Sequence, residues 1–288
     1  MDFEKISIEV NTLGIPRPSE AVDGGQHAAF HSAMAQAEFL LTTGRPAVVG
    51  SFGNPNDLRE AEAAWVRDTC DIVEIRLDLI TGTPAAADPA IWRHLRGIPL
   101  LFTARRNDEG GARTLGPAER MNLLESVLDD AACIDIEVAS LGEMNALVQI
   151  LTVRKIPWIA SFHDFEKLPN VSVIENILRR AKTAGAHAFK LAARLHHPTD
   201  VARLAEFQLV DHGLPVATMG MGPLAPVSRL LNAQCGSVLN YGYLGNTTTA
   251  PGQWDAALLK MAIGRLTPLS VHADCQKLLP KRDNEERD

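Results

Sequence analysis

From residue 46 onward, short runs rich in β-branched and other apolar residues alternate with longer amphipathic stretches, and Gly, Pro, Asn or Asp stands at most of the joints. The short runs predict strands at 46–52, 71–79, 99–105, 133–138, 157–162, 186–193, 215–221 and 237–242. The stretches between them predict helices near 56–69, 86–96, 117–131, 141–154, 171–184, 199–211, 225–235 and 253–266. The pattern therefore predicts eight units of strand and helix in strict alternation.

This alternation indicates parallel strands joined by right-handed crossovers. Eight units between residues 46 and 266 are typical of the (β/α)8 barrel, because open parallel sheets usually contain fewer. The predicted fold class is therefore α/β, a (β/α)8 TIM barrel with an N-terminal strand and helix extension. In such barrels the chemistry lies where each strand ends and the next loop begins, so polar residues late in a strand become candidates for a site.

The chain divides into three predicted segments, an N-terminal extension, a barrel and a tail, at 1–45, 46–270 and 271–288. In the extension, "ISIEV" alternates like a strand, and apolar residues recur at helical spacing at Phe30, Met34, Ala37 and Leu41. We expect a hairpin and a helix that cover one end of the barrel rather than an independent module. The tail mixes charges without an apolar period, so we expect it to be solvated.

Composition and charge limit the classes of partner. The 288 residues are 46% hydrophobic and 22% charged, with a formal net charge of −7 and a pI near 5.7. Nucleic-acid surfaces normally carry a basic stripe, so we expect no nucleic-acid partner. The chain has no apolar run long enough to span a membrane, and "MDFEKISIEV" lacks a basic region followed by an apolar run. We therefore expect no membrane partner and a cytoplasmic protein.

The four cysteines are Cys70, Cys133, Cys235 and Cys275. They lie far apart in the sequence and form no CxxC pair, so the sequence predicts neither a zinc cluster nor a disulfide framework. We expect buried free thiols.

Polar residues stand at or just after the predicted strand ends. They are Ser51, Glu74, Arg76, Arg105, Glu109, His163, Lys190, Arg229, Thr249 and Gln253. In the stretch "WIASFHDF", a run suited to burial ends in His163 and Asp164. Taken alone, this pair fits either a histidine at a strand end with an aspartate that opens a turn, or a reactive imidazole.

Lys190 places an ammonium group inside the apolar strand "AFKLAA", where an unpaired charge is costly to bury. Two interpretations are open. The side chain either faces outward and reaches solvent, or it faces inward and acts as an amine nucleophile. In the second case Arg76, Arg105 and Arg229 would be neighbouring cations that favour the neutral amine.

The arginines at the predicted barrel mouth indicate an anionic ligand, because arginine holds a carboxylate or a phosphate through paired hydrogen bonds. The loop "MGPLAP" after the seventh strand contains two prolines and offers few backbone N–H groups to a phosphate, which favours a carboxylate ligand. Glu74 and Arg76 lie two apart on one strand and point to the same face. They form either a structural ion pair or part of the site.

Together these residues resemble the type I 3-dehydroquinate dehydratase family, over about residues 46–266. The motifs that carry the resemblance are "EIR" (Glu74, Arg76), "LLFTARRNDEGG" (Arg105, Glu109), "HDF" (His163), "FKLAA" (Lys190), "MGM" followed by "SR" (Met219, Met221, Ser228, Arg229) and "APGQ" (Gln253). Each motif is weak alone, but their joint order and spacing are specific.

The resemblance implies a barrel enzyme that eliminates water from 3-dehydroquinate through a lysine Schiff base, with no metal or organic cofactor. Lys190 would form the imine, His163 would act as general base and acid, and Glu109 would orient His163. The substrate carboxylate would be held by Arg229, and its hydroxyls would be positioned by Ser51, Glu74, Arg76, Arg105, Thr249 and Gln253. The resemblance also implies a homodimer.

The chain departs from the family pattern in two loops. Thr249 stands where serine is usual before "APGQ", and Ala225 stands where glycine is usual, between Pro223 and Pro226. We expect both changes to affect how the lid loop closes and which substrate the site accepts. The alternatives left open are a related lysine-imine lyase, either a dehydratase or a class I aldolase-like enzyme, on another cyclic hydroxy acid, and a barrel without activity. The sequence leaves open whether the activity serves aromatic biosynthesis or quinate breakdown.

Overall fold

The computed structural model describes residues 24–42, 45–80, 88–267 and 269. The predicted strand "ISIEV", the predicted tail and Cys275 lie outside the described residues. Cys70 and Cys133 are free and buried, as expected, and Cys235 is buried. Within the described part of the chain, no helix is long and apolar enough to cross a membrane.

All eight predicted strands are confirmed. In chain order, β1 to β8 are Ala47–Phe52, Ile72–Arg76, Leu100–Thr103, Cys133–Glu137, Trp158–Asp164, Ala188–Arg194, Val216–Met221 and Leu239–Tyr243. The second strand ends three residues earlier than predicted, because the chain turns at once into a short helix. The helices α1 to α10 are Gly24–Thr42, Pro55–Glu60, Ala63–Thr69, Leu77–Ile80, Pro117–Glu125, Asn145–Arg154, Val171–Thr183, Pro198–Leu209, Ala225–Gln234 and Ala256–Ile263.

The predicted helix at 86–96 is wrong. The described part of this stretch forms two 3-10 helices, Pro89–Ile91 and Arg93–Leu95. The side chains of Trp92, Leu95 and Ile98 are buried at intervals of three residues, which matches the 3-10 period better than the α period of 3.6. Other helices are shorter than predicted or divided, as at α2 and α3, because their ends are set by caps that the apolar pattern does not record.

The strands form one parallel sheet in the order β7-β6-β5-β4-β3-β2-β1-β8, which is the order of a (β/α)8 barrel. Strands β7 and β8 meet at a seam where the described structure has no regular ladder of backbone hydrogen bonds. They are joined there by a few hydrogen bonds, some of them from side chains. The backbone N–H of Val238 donates to the carbonyl of Val216 at 3.1 Å. Two residues further along β7, the N–H of Thr218 donates to Ser237 Oγ and its carbonyl accepts from Asn232 Nδ2. Side chains therefore satisfy backbone groups that a neighbouring strand would otherwise pair.

Helix α1 covers the amino-terminal end of the barrel. Its residues Ala33, Ala37 and Leu41 are buried in one cluster with the first inward-facing residues of the strands, such as Leu101 and Ile159. The predicted helical spacing is confirmed at Ala37 and Leu41, and Met34 is partly buried against the core. Because this end is closed by apolar side chains, the polar residues of the interior are reached from the opposite end.

Candidate active site

A cavity at the carboxyl ends of the strands brings together all ten polar residues named from the sequence. Its lining comprises Ser51, Glu74, Arg76, Arg105, Glu109, Gly110, His163, Phe165, Lys190, Ala192, Met219, Met221, Arg229, Tyr241, Thr249, Ala250 and Gln253. His163, the last residue but one of β5, therefore lies at the cavity. Asp164 instead accepts hydrogen bonds from the N–H groups of Glu166 and Lys167 and opens the turn.

Lys190 points into the barrel and is only 4% exposed, so the outward-facing interpretation is wrong. Its Nζ lies 3.1 Å from Asp135 Oδ2 and 3.7 Å from Glu74 Oε1. The three arginines expected near this amine line the same cavity, but the charged groups that form ion pairs with it are carboxylates. Only the neutral amine has the free electron pair with which the nitrogen can attack a carbon.

A network of buried charges lies below the cavity. Arg105 donates to Asp135 Oδ1 and Glu137 Oε1, both at 2.9 Å, and to Ser161 Oγ at 2.7 Å. Ser161 donates in turn to Asp135 at 2.6 Å, and Arg120 pairs with the second oxygen of Glu137. Arg105 and Lys190 hold the pKa of the Asp135 carboxyl far below its usual value, against the opposing effect of burial. The network fixes the carboxylate that contacts Lys190.

The sequence analysis missed several members of this site: Thr103, Asp135, Glu137, Ser161 and Tyr241. The signal for two of them is in "CIDIEV", where Asp135 and Glu137 lie two apart and share the inner face of β4. Glu74 and Arg76 on β2 show the same spacing. This spacing alone does not predict a buried site, because alternating charge on a short strand is also typical of a solvated face.

Glu74 and Arg76 do not pair with each other, so the structural ion pair considered from the sequence is wrong. Glu74 accepts hydrogen bonds from Ser51 Oγ and, at 2.9 Å, from Thr103 Oγ1. Arg76 forms two hydrogen bonds to Asp78, at 2.9 and 2.7 Å. Asp78 also accepts from the backbone N–H of Arg105 at 3.2 Å, so Arg76 is fixed to the start of the next loop.

Glu109 and His163 form a pair at the cavity wall. Nδ1 of His163 lies 3.0 Å from Glu109 Oε2, and the backbone N–H of His163 donates to the same oxygen at 2.9 Å. Burial lowers the pKa of His163 well below its usual value, and the cations Arg105 and Lys190 lower it further. Burial also raises the pKa of Glu109 to about 8. The imidazole is therefore neutral at physiological pH and can accept a proton.

Arg229 on α9 is buried without a carboxylate partner among the described residues. Its Nη1 donates to the carbonyl of Tyr241 at 2.7 Å and contacts Met219 Sδ at 3.7 Å, while its Nε has no hydrogen-bond partner. Burial lowers the pKa of Arg229 to about 10. A buried guanidinium at a cavity wall with a free donor is suited to bind an anion.

The loop between β8 and α10 covers one side of the cavity. Thr249 donates to Gln253 Oε1 through Oγ1 at 2.9 Å and through its backbone N–H at 3.0 Å. The loop rests on the β7 loop, where Gly222 N–H donates to the Pro251 carbonyl at 3.2 Å. Ala225 and Pro226 fit this arrangement, because α9 begins at Ala225 and proline is tolerated in a first helical turn, and Pro223 lies in the turn before the helix.

No group of three or more His, Cys, Asp or Glu residues in the described structure could hold a metal ion. The chemistry that this arrangement supports is carried by side chains: a buried amine in contact with a carboxylate, a neutral imidazole and an unpaired guanidinium in one cavity. An amine nucleophile beside a general base is suited to imine formation and proton transfer at the neighbouring carbon.

Comparison with known proteins agrees with this chemistry. A family model described as type I 3-dehydroquinase matches residues 52–267. The chain is 35% identical over 208 residues to a 3-dehydroquinate dehydratase from Methanocella arvoryzae, which covers 72% of this chain and 91% of that protein. It is 32% identical over 234 residues to a protein of the same name from Bacillus licheniformis, with 76% and 92% covered.

Solved structures of similar fold include the 3-dehydroquinate dehydratases of Geobacillus kaustophilus and Aquifex aeolicus. The first has a TM-score of 0.67 and 26% identity, and the match covers 76% of this chain and 90% of that one. The second has a TM-score of 0.66 and 25% identity, with 77% and 100% covered. The predicted (β/α)8 fold is confirmed, and the chain belongs to the type I 3-dehydroquinase family.

Proposed function

We propose that this protein eliminates water from 3-dehydroquinate to give 3-dehydroshikimate through a Schiff base on Lys190. The observation that carries the proposal is the position of Lys190, whose buried amine shares one cavity with the His163–Glu109 pair and with Arg229. Membership in the type I 3-dehydroquinase family supports a hydro-lyase of this kind.

In the first step the amine of Lys190 attacks the ketone carbon of the substrate. Two protons move from the lysine nitrogen to the ketone oxygen, one of them by way of the neutral imidazole of His163 in the same cavity, and the oxygen leaves as water. Asp135, 3.1 Å from Nζ, stays ionised and orients the nitrogen. The product is a protonated imine with one positive charge on nitrogen, so charge and atoms balance. The iminium withdraws electrons and makes the neighbouring C–H bond acidic.

In the second step the neutral imidazole of His163 removes a proton from that neighbouring carbon. The electron pair moves toward the iminium nitrogen and forms an enamine. The imidazolium then gives the proton to the hydroxyl on the next carbon, which leaves as water as the enamine electrons return and form the new C=C bond. Glu109, bonded to Nδ1, leaves Nε2 as the nitrogen for both transfers. Hydrolysis of the imine releases the product and restores Lys190.

The substrate is held at its carboxylate by Arg229, whose free donor and positive charge match that group. We propose that the substrate hydroxyls are positioned by polar side chains of the cavity wall. These are Ser51, Glu74, Arg76, Arg105, Thr249 and Gln253. This arrangement fixes the substrate between two anchors, Lys190 at the ketone and Arg229 at the carboxylate, so the proton to be removed faces His163.

The proposal is tested by reducing the protein with borohydride in the presence of 3-dehydroquinate and reading the intact mass. The parent protein and a Lys182→Ala control, which removes an exposed lysine, should gain the mass of the reduced adduct. Lys190→Ala should gain none. An adduct on Lys190→Ala would refute the assignment of the imine to Lys190, and no adduct on the parent would refute the proposed function.

A cytoplasmic location, a homodimer, and a role in aromatic biosynthesis or quinate breakdown stay predictions drawn from the sequence. The match to the type I 3-dehydroquinase family favours the biosynthetic role, which belongs to the shikimate pathway. Mass photometry of the purified protein at nanomolar concentration tests the dimer, which should have twice the chain mass of 31.2 kDa.

A further inference from the structure

The aromatic ring of Tyr241 lies against the amine of Lys190. Nζ of Lys190 is 3.9 Å from the centroid of the ring, a distance typical of a cation–π contact. Tyr241 is almost fully buried, so little water competes with this contact. Through its backbone carbonyl the same residue accepts the 2.7 Å hydrogen bond from Arg229. One residue of β8 therefore contacts both anchors of the proposed substrate site.

The hydroxyl of Tyr241 does not explain this position. It is buried and has no hydrogen-bond partner among the described residues. An unpaired buried hydroxyl is unfavourable, so the residue is not held in place by its polar end. Burial and the carboxylates Glu74 and Asp135 raise the pKa of this hydroxyl well above its usual value. The ring therefore meets Lys190 as a neutral phenol.

The bonding capacity of the lysine nitrogen changes during the proposed reaction. An ammonium has three N–H donors, which Asp135 and Glu74 can use on one side. A protonated imine has one N–H donor but keeps the positive charge. At most one hydrogen bond to a carboxylate therefore remains after imine formation, whereas attraction to the face of an aromatic ring needs charge and no donor.

We propose that Tyr241 is a positioning residue for the reaction, and that its ring rather than its hydroxyl holds the charged nitrogen of Lys190 as the imine forms. This inference rests on the proposed function, since it concerns the same imine. The ring acts through Lys190 and favours the iminium over the free amine and ketone. Its removal should lower the fraction of protein present as imine at a given substrate concentration.

The first test compares Tyr241→Phe, which keeps the ring, with Tyr241→Leu, which removes it. At saturating substrate, borohydride should trap as much adduct on Tyr241→Phe as on the parent. Tyr241→Leu should trap roughly tenfold less, the size expected for loss of a desolvated cation–π contact. Equal trapping on Tyr241→Leu and the parent would overturn the proposal, and an equal loss on both variants would assign the effect to the hydroxyl instead.

The second test covers the case in which Tyr241→Leu does not fold. Phenylalanine with increasing numbers of ring fluorines is incorporated at position 241, because fluorine weakens the negative face of the ring with little change in shape. The trapped fraction should fall stepwise with each fluorine. A trapped fraction that does not depend on fluorine number would overturn the role of the ring. If the parent itself traps no adduct, the proposed function fails first.

Discussion

A single carboxylate oxygen of Glu109 contacts both Nδ1 and the backbone N–H of His163, at 3.0 and 2.9 Å. This double contact fixes the imidazole ring relative to its own strand. Glu109 is in turn held by a 3-10 helix, Asn107–Glu109, which ends at Gly110 with a φ of +88°. A side chain at Gly110 would also collide with the ring of Phe165, so glycine is required there.

Replacing Glu109 by Gln should slow turnover and leave the imine in place. The amide keeps the size of the side chain but offers a weaker acceptor to the imidazole, so we expect kcat to fall at least tenfold, within the range of a general acid–base contribution. Borohydride trapping should match that of the parent. Loss of trapping along with kcat would show instead that Glu109 acts on the lysine.

The acid limb of the pH profile should lie below pH 6.5. Burial and the cations Arg105 and Lys190 lower the pKa of His163, so the imidazole loses its proton at a lower pH than a free histidine and the base form persists into mild acid. Activity should be lost only as the pH falls through this lowered pKa. The check is kcat/KM measured from pH 5 to pH 8, and an acid limb above 6.5 would contradict the assignment.

Replacing Arg229 by Met should stabilise the free protein and impair binding. The guanidinium is buried without a counter-ion, so its removal should raise the free energy of unfolding by about 1–2 kcal/mol. The same change removes the partner of the substrate carboxylate and should weaken substrate binding by about 2–5 kcal/mol. Urea unfolding and KM measure the two effects. A variant that is less stable and binds substrate normally would refute both.

Replacing Asp135 by Ala should cost about 3–5 kcal/mol of stability, because it leaves Arg105 and Lys190 buried without a shared carboxylate. The matched control is Asp129→Ala, which breaks the ion pair with Arg154 at a carboxylate that is 93% exposed. That change should alter the free energy of unfolding by less than about 1 kcal/mol. Equal effects of the two changes in urea unfolding would show that the buried network adds no stability.

The strand pattern predicts which polar side chains lie together, because the parallel strands of a barrel place their carboxyl ends at the same mouth. Arg76 and His163 stand late in their strands, whereas Lys190 reaches the same cavity from the third residue of β6. The pairing of charges could not be predicted in this way. Arg76 bonds to Asp78 because a helical turn follows β2 directly, and no period in the sequence marks that turn.

The partner of Lys190, Asp135, could not be predicted from the sequence either. A lysine inside an apolar strand implies a buried partner, but the partner stands 55 residues earlier, on a strand two places away in the barrel. Apolar periodicity identifies which face of β4 is inner, yet that strand is buried on both faces, so the pattern cannot separate a buried aspartate from a solvated one. The structure distinguishes the two cases, because Asp135 is buried and lies 3.1 Å from Lys190.

The seam between β7 and β8 has fewer backbone hydrogen bonds than the other junctions between neighbouring strands in the described structure. Ser237 bridges the seam, because its Oγ accepts from the N–H of Thr218 on β7 and donates to the carbonyl of Leu239 on β8. Arg229 on α9 also reaches both strands, since its Nη1 contacts Met219 Sδ on β7 and donates to the carbonyl of Tyr241 on β8. An anion that holds Arg229 in place should therefore limit separation of β7 from β8. Amide hydrogens along β7 and β8 should exchange more slowly once a carboxylate is bound, whereas those of β4 and β5 should change little.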